Sequence, residues 1–456
     1  MNPITLSQFA EWTGGTLIQG VPAALAAPVC TDSRALKAGD VFLALKGENF
    51  DGHDFVKDAR EKAAAALIVS ALNRETESFE GGIVHVRDTL RALRNLAHHY
   101  RRSLAGLFAV GITGSNGKTS TKDFVAAVLA RRAPVNATRG NLNNHIGLPL
   151  TILGTEAGHR FGVWEMGMSH SGEIEVLAEI AAPDAAVVTN IGTAHIEHMG
   201  SRAAIAEEKG MLAESVPAGG FVVLNANDPE TPAIAGRCRG RVVTAGIEAG
   251  EVRGENLAVE GAGMAFDLVV AATGERVRAS IPVPGRHMVG NALLAAAVGL
   301  EQGLSPAEVA EALSEARLTG GRLQFRESGG LTFLDDSYNA NPDSMRAALA
   351  TLAATPSAGR KAAVLGRMAE LGEHEETEHR ELGRAVAETG LDLLVAVGET
   401  APLVVEGAGA GLETRAFEDR EAAVDFLKSW ARSGDLLLVK GSRSAGMEKV
   451  IEPFLD

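Results

Sequence analysis

Residues 110–124 read VGITGSNGKTSTKDF. Apolar, strand-forming positions run into a loop carrying Gly111, Gly114 and Gly117, and the loop hands Lys118 and Thr119 to a helical pattern. A strand joined to a helix by glycines constrains the chain strongly, because such units build parallel sheets covered by helices. The loop also has a chemistry. Its backbone N–H groups can turn inward around phosphate oxygens while the helix N-terminus adds positive potential. Lys118 then supplies a point charge to the terminal phosphates, and the Thr119 hydroxyl can ligate magnesium. A strict G-x-x-x-x-G-K-[ST] pattern is missed by one place, since its first glycine falls at Ile112 and the glycine present is Gly111. A plain glycine turn explains the glycines but not Lys118 and Thr119 together at a helix start. Nucleotide phosphate binding is therefore the expected role of Gly114, Ser115, Asn116, Gly117, Lys118, Thr119 and Ser120.

The alternation of strand and helix extends well beyond this loop. Between residues 107 and 316 the runs LFAVGIT, FGVWEMG, AAVVTNI and FVVLNA are separated by helical stretches. This is the pattern of a doubly wound, mostly parallel sheet. Between Arg253 and Pro284 shorter alternating segments with glycine turns predict a small antiparallel addition. After LTGGRLQFRE the runs LTFLDD, KAAVLG, LDLLVAVG and DLLLVKG predict a second, Rossmann-like domain. The first block mixes the short runs DVFLAL, AAALIVS and GGIVHV with turns and closes on the helical TLRALRNLAHHYRRSLA, read as ending in a linker. The expectation is an α/β protein of three domains, over residues 1–104, 105–318 and 319–456, without internal repeats.

Charge narrows the partners. A net charge of -15 with 46% apolar and 22% charged residues fits a soluble globular protein and argues against nucleic acid or an anionic membrane as a partner. Any anionic ligand must then meet locally gathered cations. Cys30 and Cys238 have neither metal nor disulfide spacing. The opening MNPITLSQFAEWTGG has no leader pattern, and no apolar run reaches the length of a membrane span. A cytoplasmic protein is expected.

Other residues read two ways. Glu165 ends the run FGVWEM, at the carboxyl edge where open α/β sheets bind ligands, and a carboxylate there suits Mg²⁺; a solvated strand-end glutamate reads the same. His195 follows AAVVTNI as a candidate ligand or a satisfied loop histidine. Lys209, beside two glutamates in AIAEEKGML, reads by itself as a solvated helix face. His287 and Asn291 stand one helical turn apart. Asn143 and Asn144 offer amides to a peptide backbone, and Lys440, Ser442 and Arg443 follow a strand where cations can meet a carboxylate.

The phosphate loop in the form TGSNGKTS resembles that of the Mur ligases, ATP-dependent amide-forming enzymes of peptidoglycan synthesis. GNLNNHIGLPLTIL, EMGMSHSGEIE, TNIGTAHIEHMGS, DDSYNANPDSM, MAELGEHEETEH and VKGSRSAGMEKV extend the resemblance over nearly the whole chain. Within that family, SYNANP and KGSRS point to the member type that joins D-alanyl-D-alanine to a UDP-N-acetylmuramoyl-tripeptide. The resemblance implies ATP, two Mg²⁺ ions and these two substrates. Thr119 and Glu165 are then ligands of one ion and His195 of the second. Lys209 is implied to be carbamylated by CO₂ into a further oxygen ligand, which requires a depressed pKa. Asn291 is implied on the adenine side, Arg322 at the nucleotide phosphates and Asp336 at the ribose. Ser33, Arg34 and the turn Asp51, Gly52, His53 are implied to hold uridine diphosphate. Asn143 and Asn144 border the muramoyl peptide, while Tyr338, Asn339 and Asn341, with Lys440, Ser442 and Arg443, belong to the substrate side of the third domain. The resemblance names Lys118, Lys209, His195 and Arg322 as the catalytic set.

Rivals stay open at this level. They are a sibling ligase with another amino acid, a folylpolyglutamate synthase-like enzyme, a P-loop ATPase doing conformational work on a partner, and a binding-only pseudoenzyme. A monomer is expected, and the third peptide residue, meso-diaminopimelate or L-lysine, has no recognisable local motif.

Overall fold

The computed structural model describes residues 1–47 and 50–455. Glu48 and Asn49, inside the GENFDGH segment, lie outside the described residues. The central domain carries a 9-stranded sheet. From one edge its order is Glu275–Ile281, Gly263–Val270, Val252–Glu260, Arg241–Ile247, Phe221–Asn225, Ala185–Val188, Phe108–Thr113, Phe161–Glu165 and Val135–Ala137. Strands from Val252–Glu260 onward pair in parallel, and the first two are antiparallel. The antiparallel addition is thus an extension of the same sheet. Helices cover both faces, which is why Phe161–Glu165 and Ala185–Val188 are buried at every residue. Ile112, Val163 and Val187 pack with helices Lys118–Ala130 and Arg286–Glu301; Trp164, Ala186 and Val188 pack with Glu173–Ala181 and Arg202–Ser215 on the other side.

Small residues bring two helices of the first face close together. A Cβ on Gly299 would lie 2.4 Å from Val128 Cγ1, so Arg286–Glu301 runs tightly along the helix that begins at Lys118. This close approach sets Asn291 against the phosphate loop.

The third domain has a 6-stranded sheet in the order Gln324–Ser328, Leu331–Asp336, Leu436–Lys440, Lys361–Gly366, Leu393–Val397, Glu413–Phe417. Only Gln324–Ser328 is antiparallel. That strand falls within LTGGRLQFRE, read from sequence as the lead-in to this domain. Its half-exposed edge position needs no apolar run, so the period-two signal is weak there. In the first domain a 5-stranded sheet runs in the order Thr16–Gln19, Gly82–His85, Ala66–Val69, Val41–Leu43, Val29–Cys30. Helix Thr89–Ser103 is no free tether: Arg101 donates to Ala181 O at 3.0 Å and pairs with Asp184 at 2.7 Å, and Tyr100 donates to Thr155 O at 2.6 Å. Among the described residues no helix is long and apolar enough to cross a membrane.

One ion pair sets an acid-stability expectation for the third domain. Buried Asp435 meets the Arg360 guanidinium at 2.6 Å and accepts from the backbone N–H groups of Arg360 and Arg432, both at 2.9 Å. Burial alone would raise its pKa, but these partners outweigh burial and hold the carboxyl below its ordinary range. A depressed folded pKa means the contribution is complete above the unfolded value of about 3.9 and is lost as pH falls through the folded one. Asp435→Asn is expected to cost about 1.5–3 kcal/mol at neutral pH. Denaturant midpoints of variant and wild type should then converge as the solution is acidified.

Candidate active site

The glycine loop folds as its sequence implies. Gly114 has φ +149° and Gly117 φ +78°, and a Cβ would meet Thr189 Oγ1 at 1.8 Å in the first case and Asn291 Oδ1 at 2.4 Å in the second. Neither position tolerates a side chain. The loop after strand Ala185–Val188 braces it from beside. Ser115 N donates to Asn190 O at 2.9 Å, Asn116 N to Asn190 Oδ1 at 2.9 Å, and Gly192 N to Ser115 Oγ at 2.8 Å. Asn291 therefore sits against Gly117. His287, one turn earlier, is exposed at its surface, yet the protein packed around it pushes its imidazole down to about 4 against the pull of Asp336, with Lys440 adding to the fall.

Cations gather where phosphates belong. Lys118 folds onto its own loop, donating to Gly114 O at 2.8 Å and Ser115 O at 3.3 Å. Enclosure lowers its pKa first, Glu165 opposes this, and Arg322 adds to it. Arg322 stacks its guanidinium 4.3 Å from the Tyr338 ring centre, and its buried Nε has no partner among the described residues. An unpaired buried guanidinium N–H beside a second cation is an arrangement that an anion completes. In a chain of net charge -15 these cations are the local exception.

Glu165 is 3% exposed. Its Oε2 accepts from Thr119 Oγ1 at 2.8 Å and its Oε1 from Asn143 Nδ2 at 2.8 Å. Asn143 is thereby committed to Glu165, and Asn144 caps a helix by accepting from Ile146 N and Gly147 N at 3.1 and 2.9 Å. Each amide thus has one internal partner, through Asn143 Nδ2 and Asn144 Oδ1.

Lys209 is not on a solvated face. It is 1% exposed and has no side-chain hydrogen bond or ion pair among the described residues. Burial, then the nearby positive Lys118, push its pKa well below the ordinary lysine range, with Glu208 opposing. Its two glutamate neighbours diverge. Glu207 bonds Arg237 at 2.9 Å near the surface, whereas buried Glu208 caps helix Glu173–Ala181, accepting from Gly172 N at 2.8 Å and Ile174 N at 2.7 Å. Glu208 is engaged as a cap, and its charge opposes the fall in the Lys209 pKa without reversing it.

The donor set suits magnesium as an oxygen-seeking ion. No group of three or more His, Cys, Asp or Glu side chains able to hold a metal is found among the described residues. A site built from Thr119, Glu165 and His195 must therefore draw its remaining ligands from nucleotide oxygens, water or a modified Lys209.

The third domain closes over this centre. Asn341 Nδ2 donates to Asn116 Oδ1 at 2.7 Å, and Thr193 N donates to Asp343 Oδ2 at 3.2 Å. His195 Nδ1 abuts a carboxylate oxygen of Glu370, although the two are not aligned as a hydrogen bond and Nδ1 has no hydrogen-bond partner among the described residues. Asn341 also caps helix Pro342–Ala354, accepting from Ser344 N at 2.9 Å. A cap followed by proline was legible in NANPDS; the roles of Glu370, Asp343, Glu208 and the 189–192 brace had no local signal.

Lys440, expected on the substrate side of the third domain, has internal partners. Strand pairing sets it opposite Asp336, and its Nζ donates to Asp336 Oδ2 at 2.6 Å and Asn339 O at 2.8 Å, leaving it 2% exposed. It is a brace for the loop carrying Tyr338, Asn339 and Asn341. Ser442 is likewise buried, within 3.1 Å of Ser444 Oγ. Arg443 remains exposed, paired to Glu448 at 3.0 Å. In the first domain Ser33 is buried, 3.4 Å from Asp58, and exposed Arg34 pairs with Asp32 at 2.8 Å. His53 is spoken for: Nδ1 lies 2.6 Å from Asp51, and Nε2 accepts from Ser70 N at 2.9 Å. A Cβ on Gly52 would lie 2.7 Å from Leu45 O. The DGH turn is thus a buried latch that shapes its loop.

Fold and site define a three-domain protein whose central domain is built around nucleotide phosphates. Residues 112–299 match the family model described as Mur ligase middle domain, residues 321–443 the Mur ligase, glutamate ligase domain, and residues 27–101 the Mur ligase family, catalytic domain. The UDP-N-acetylmuramoyl-tripeptide–D-alanyl-D-alanine ligase of Bacillus subtilis (strain 168) is 36% identical, over 99% of this chain and 98% of the relative. The crystal structure of MurF from Acinetobacter baumannii superposes with a TM-score of 0.92 at 33% identity, covering 100% of this chain and 99% of that one. MurF ligase from Thermotoga maritima, solved in complex with ADP, gives a TM-score of 0.83 at 29% identity, over 94% and 96% of the two chains. The chain belongs to the Mur ligase family.

Proposed function

We propose that the chain is an ATP-dependent ligase that joins D-alanyl-D-alanine to UDP-N-acetylmuramoyl-tripeptide, acting as a cytoplasmic monomer. The observation that carries the reading is the cluster of Lys118, Lys209 and Arg322 around a glycine loop that the NANPDS loop of the third domain covers. The full-length likeness to relatives bearing that activity supports the choice of substrates.

The γ-phosphoryl group of ATP passes to the C-terminal carboxylate of the tripeptide, giving an acyl phosphate and ADP. The amine of D-alanyl-D-alanine attacks the acyl carbon, the new C–N bond forms as the C–O bond to phosphate breaks, and the amine proton is lost. Such transfers depend chiefly on alignment and charge neutralisation. The loop N–H groups and Lys118 hold the phosphates, and Arg322, planed against Tyr338, neutralises charge from the third-domain side. Thr119, Glu165 and His195 would hold two Mg²⁺ ions, which supply further charge neutralisation when bound. Lys209 as a carbamate would add an oxygen ligand; a buried, unpartnered lysine of depressed pKa is the state such chemistry requires.

An ADP-release assay over a matrix of UDP-muramoyl-peptides and amines tests the substrates. D-Alanyl-D-alanine is expected to stimulate turnover with the tripeptide precursor, single amino acids poorly. If L-glutamate, L-lysine or diaminopimelate is the better acceptor on a shorter precursor, the chain is a sibling ligase. ATP hydrolysis indifferent to every amine makes it a plain ATPase.

A further inference from the structure

Both partners of the His195 contact sit in unusual backbone. His195 has φ +63° and Glu370 φ +59°, and neither is glycine. Left-handed conformations at such residues are strained and persist where the surroundings impose them. The surroundings of Glu370 are rigid. His379, fully buried, accepts from Met368 N at 3.0 Å through Nε2 and directs Nδ1 at Glu375 O at 2.7 Å, so one imidazole ties both ends of the loop. Met368 and Leu371 on either side of Glu370 are buried, and Arg367 pairs with Glu375 across the loop. The opposing surfaces touch closely: a Cβ on Gly372 would lie 3.0 Å from Glu197 Cγ, two residues after His195.

We propose that Glu370 is a positioning residue: reaching across from the third domain, its carboxylate already in contact with His195 Nδ1, it takes the Nδ1 proton on a small reorientation of either side chain, fixing the tautomer and ring plane that leave Nε2 free as the ligand nitrogen. Histidine ligands are commonly held this way by a carboxylate on the other nitrogen. Here the carboxylate comes from another domain, so the second metal position is finished only when that domain is closed. Domain closure and metal affinity are then linked through one side chain, and an open molecule carries His195 unoriented.

The inference rests on reading His195 as a metal ligand, and the experiment separates the two. Mn²⁺ binding in the presence of ADP is followed by electron paramagnetic resonance for the wild type, Glu370→Ala, Glu370→Gln, His195→Ala and the double alanine variant, with Glu373→Ala, 89% exposed in the same loop, as control. Glu370→Ala is expected to weaken the His195-dependent Mn²⁺ by about 10–100-fold. Glu370→Gln, which keeps an acceptor oxygen, should recover part of the loss. The double variant should bind no worse than His195→Ala alone, because a residue acting only through His195 has nothing left to orient. Nitrogen-15 shifts of His195 in the full-length protein should report one tautomer in the wild type and a mixture in Glu370→Ala. Equal losses in the presence and absence of His195, or unchanged affinity in both Glu370 variants while His195→Ala binds weakly, overturns the inference alone. Unchanged affinity in His195→Ala overturns the metal reading and the inference together.

Discussion

Arginine in place of Lys209 is expected to reduce turnover by about 10²-fold or more while leaving the chain folded. Lys209 is buried, without a side-chain partner among the described residues, and pushed well below the ordinary lysine range by burial and by Lys118. A neutral amine in that position can attack the carbon of CO₂: a C–N bond forms, an electron pair moves onto oxygen, and the nitrogen proton leaves to water. The product is an anion beside Lys118, which the local field favours as strongly as it disfavours the ammonium. Arginine cannot follow this course, since its guanidinium stays protonated and adds a second fixed cation. Charge therefore orders the substitutions. Lys209→Glu has the right sign on a shorter arm and should retain more activity than Lys209→Arg. Removing CO₂ and bicarbonate from the assay should slow the wild type reversibly and leave Lys209→Glu untouched. Substantial activity in Lys209→Arg, or indifference of the wild type to CO₂, returns Lys209 to a structural residue of its helix.

Lys118→Ala is expected to cost about 10²–10³ in kcat, or about 2.7–4 kcal/mol of transition-state stabilisation. Lys118 donates to the carbonyls of Gly114 and Ser115, which holds its ammonium over the glycine loop where the proposed function places the phosphates. Removing it also relieves Lys209 of a positive neighbour. The variant should therefore lose activity and raise the Lys209 pKa together, weakening carbamate formation. Near-normal kcat with an intact fold removes the phosphate-loop assignment. If the two residues act as one unit, Lys118→Ala on a Lys209→Arg background will cost much less than on the wild type.

Patterns carried by near neighbours were legible without a structure. Parallel α/β architecture follows from apolar runs spaced by helix-length segments, and each of LFAVGIT, FGVWEMG, AAVVTNI, FVVLNA, LTFLDD, KAAVLG, LDLLVAVG and DLLLVKG contains a strand. The phosphate loop follows from glycines and a Lys-Thr pair at fixed offsets, and its two close approaches explain why Gly114 and Gly117 must be glycine. Edge strands such as Gln324–Ser328 and Glu413–Phe417 escaped because half-exposed strands carry weak patterns. Side-chain partners were harder still. Asn143, Asn144, His53 and Lys440 have the polar chemistry of binding residues, and nothing local says that they also meet Glu165, a helix start, two backbone N–H groups and Asp336 within the protein.

Covalent order and local periodicity by themselves determined the sheet class, the phosphate loop and the chemical types available to the site. Tertiary structure alone decided which of those types stay free: among the described residues it buried Lys209 with no partner, spent Glu208 on a helix cap, left Arg322 Nε unpaired, and brought Glu370 to His195. The physical reason is distance. Backbone geometry and helix or strand period act between residues a few positions apart, whereas desolvation and charge pairing depend on groups far apart in the chain that only the packed molecule sets within a few ångströms.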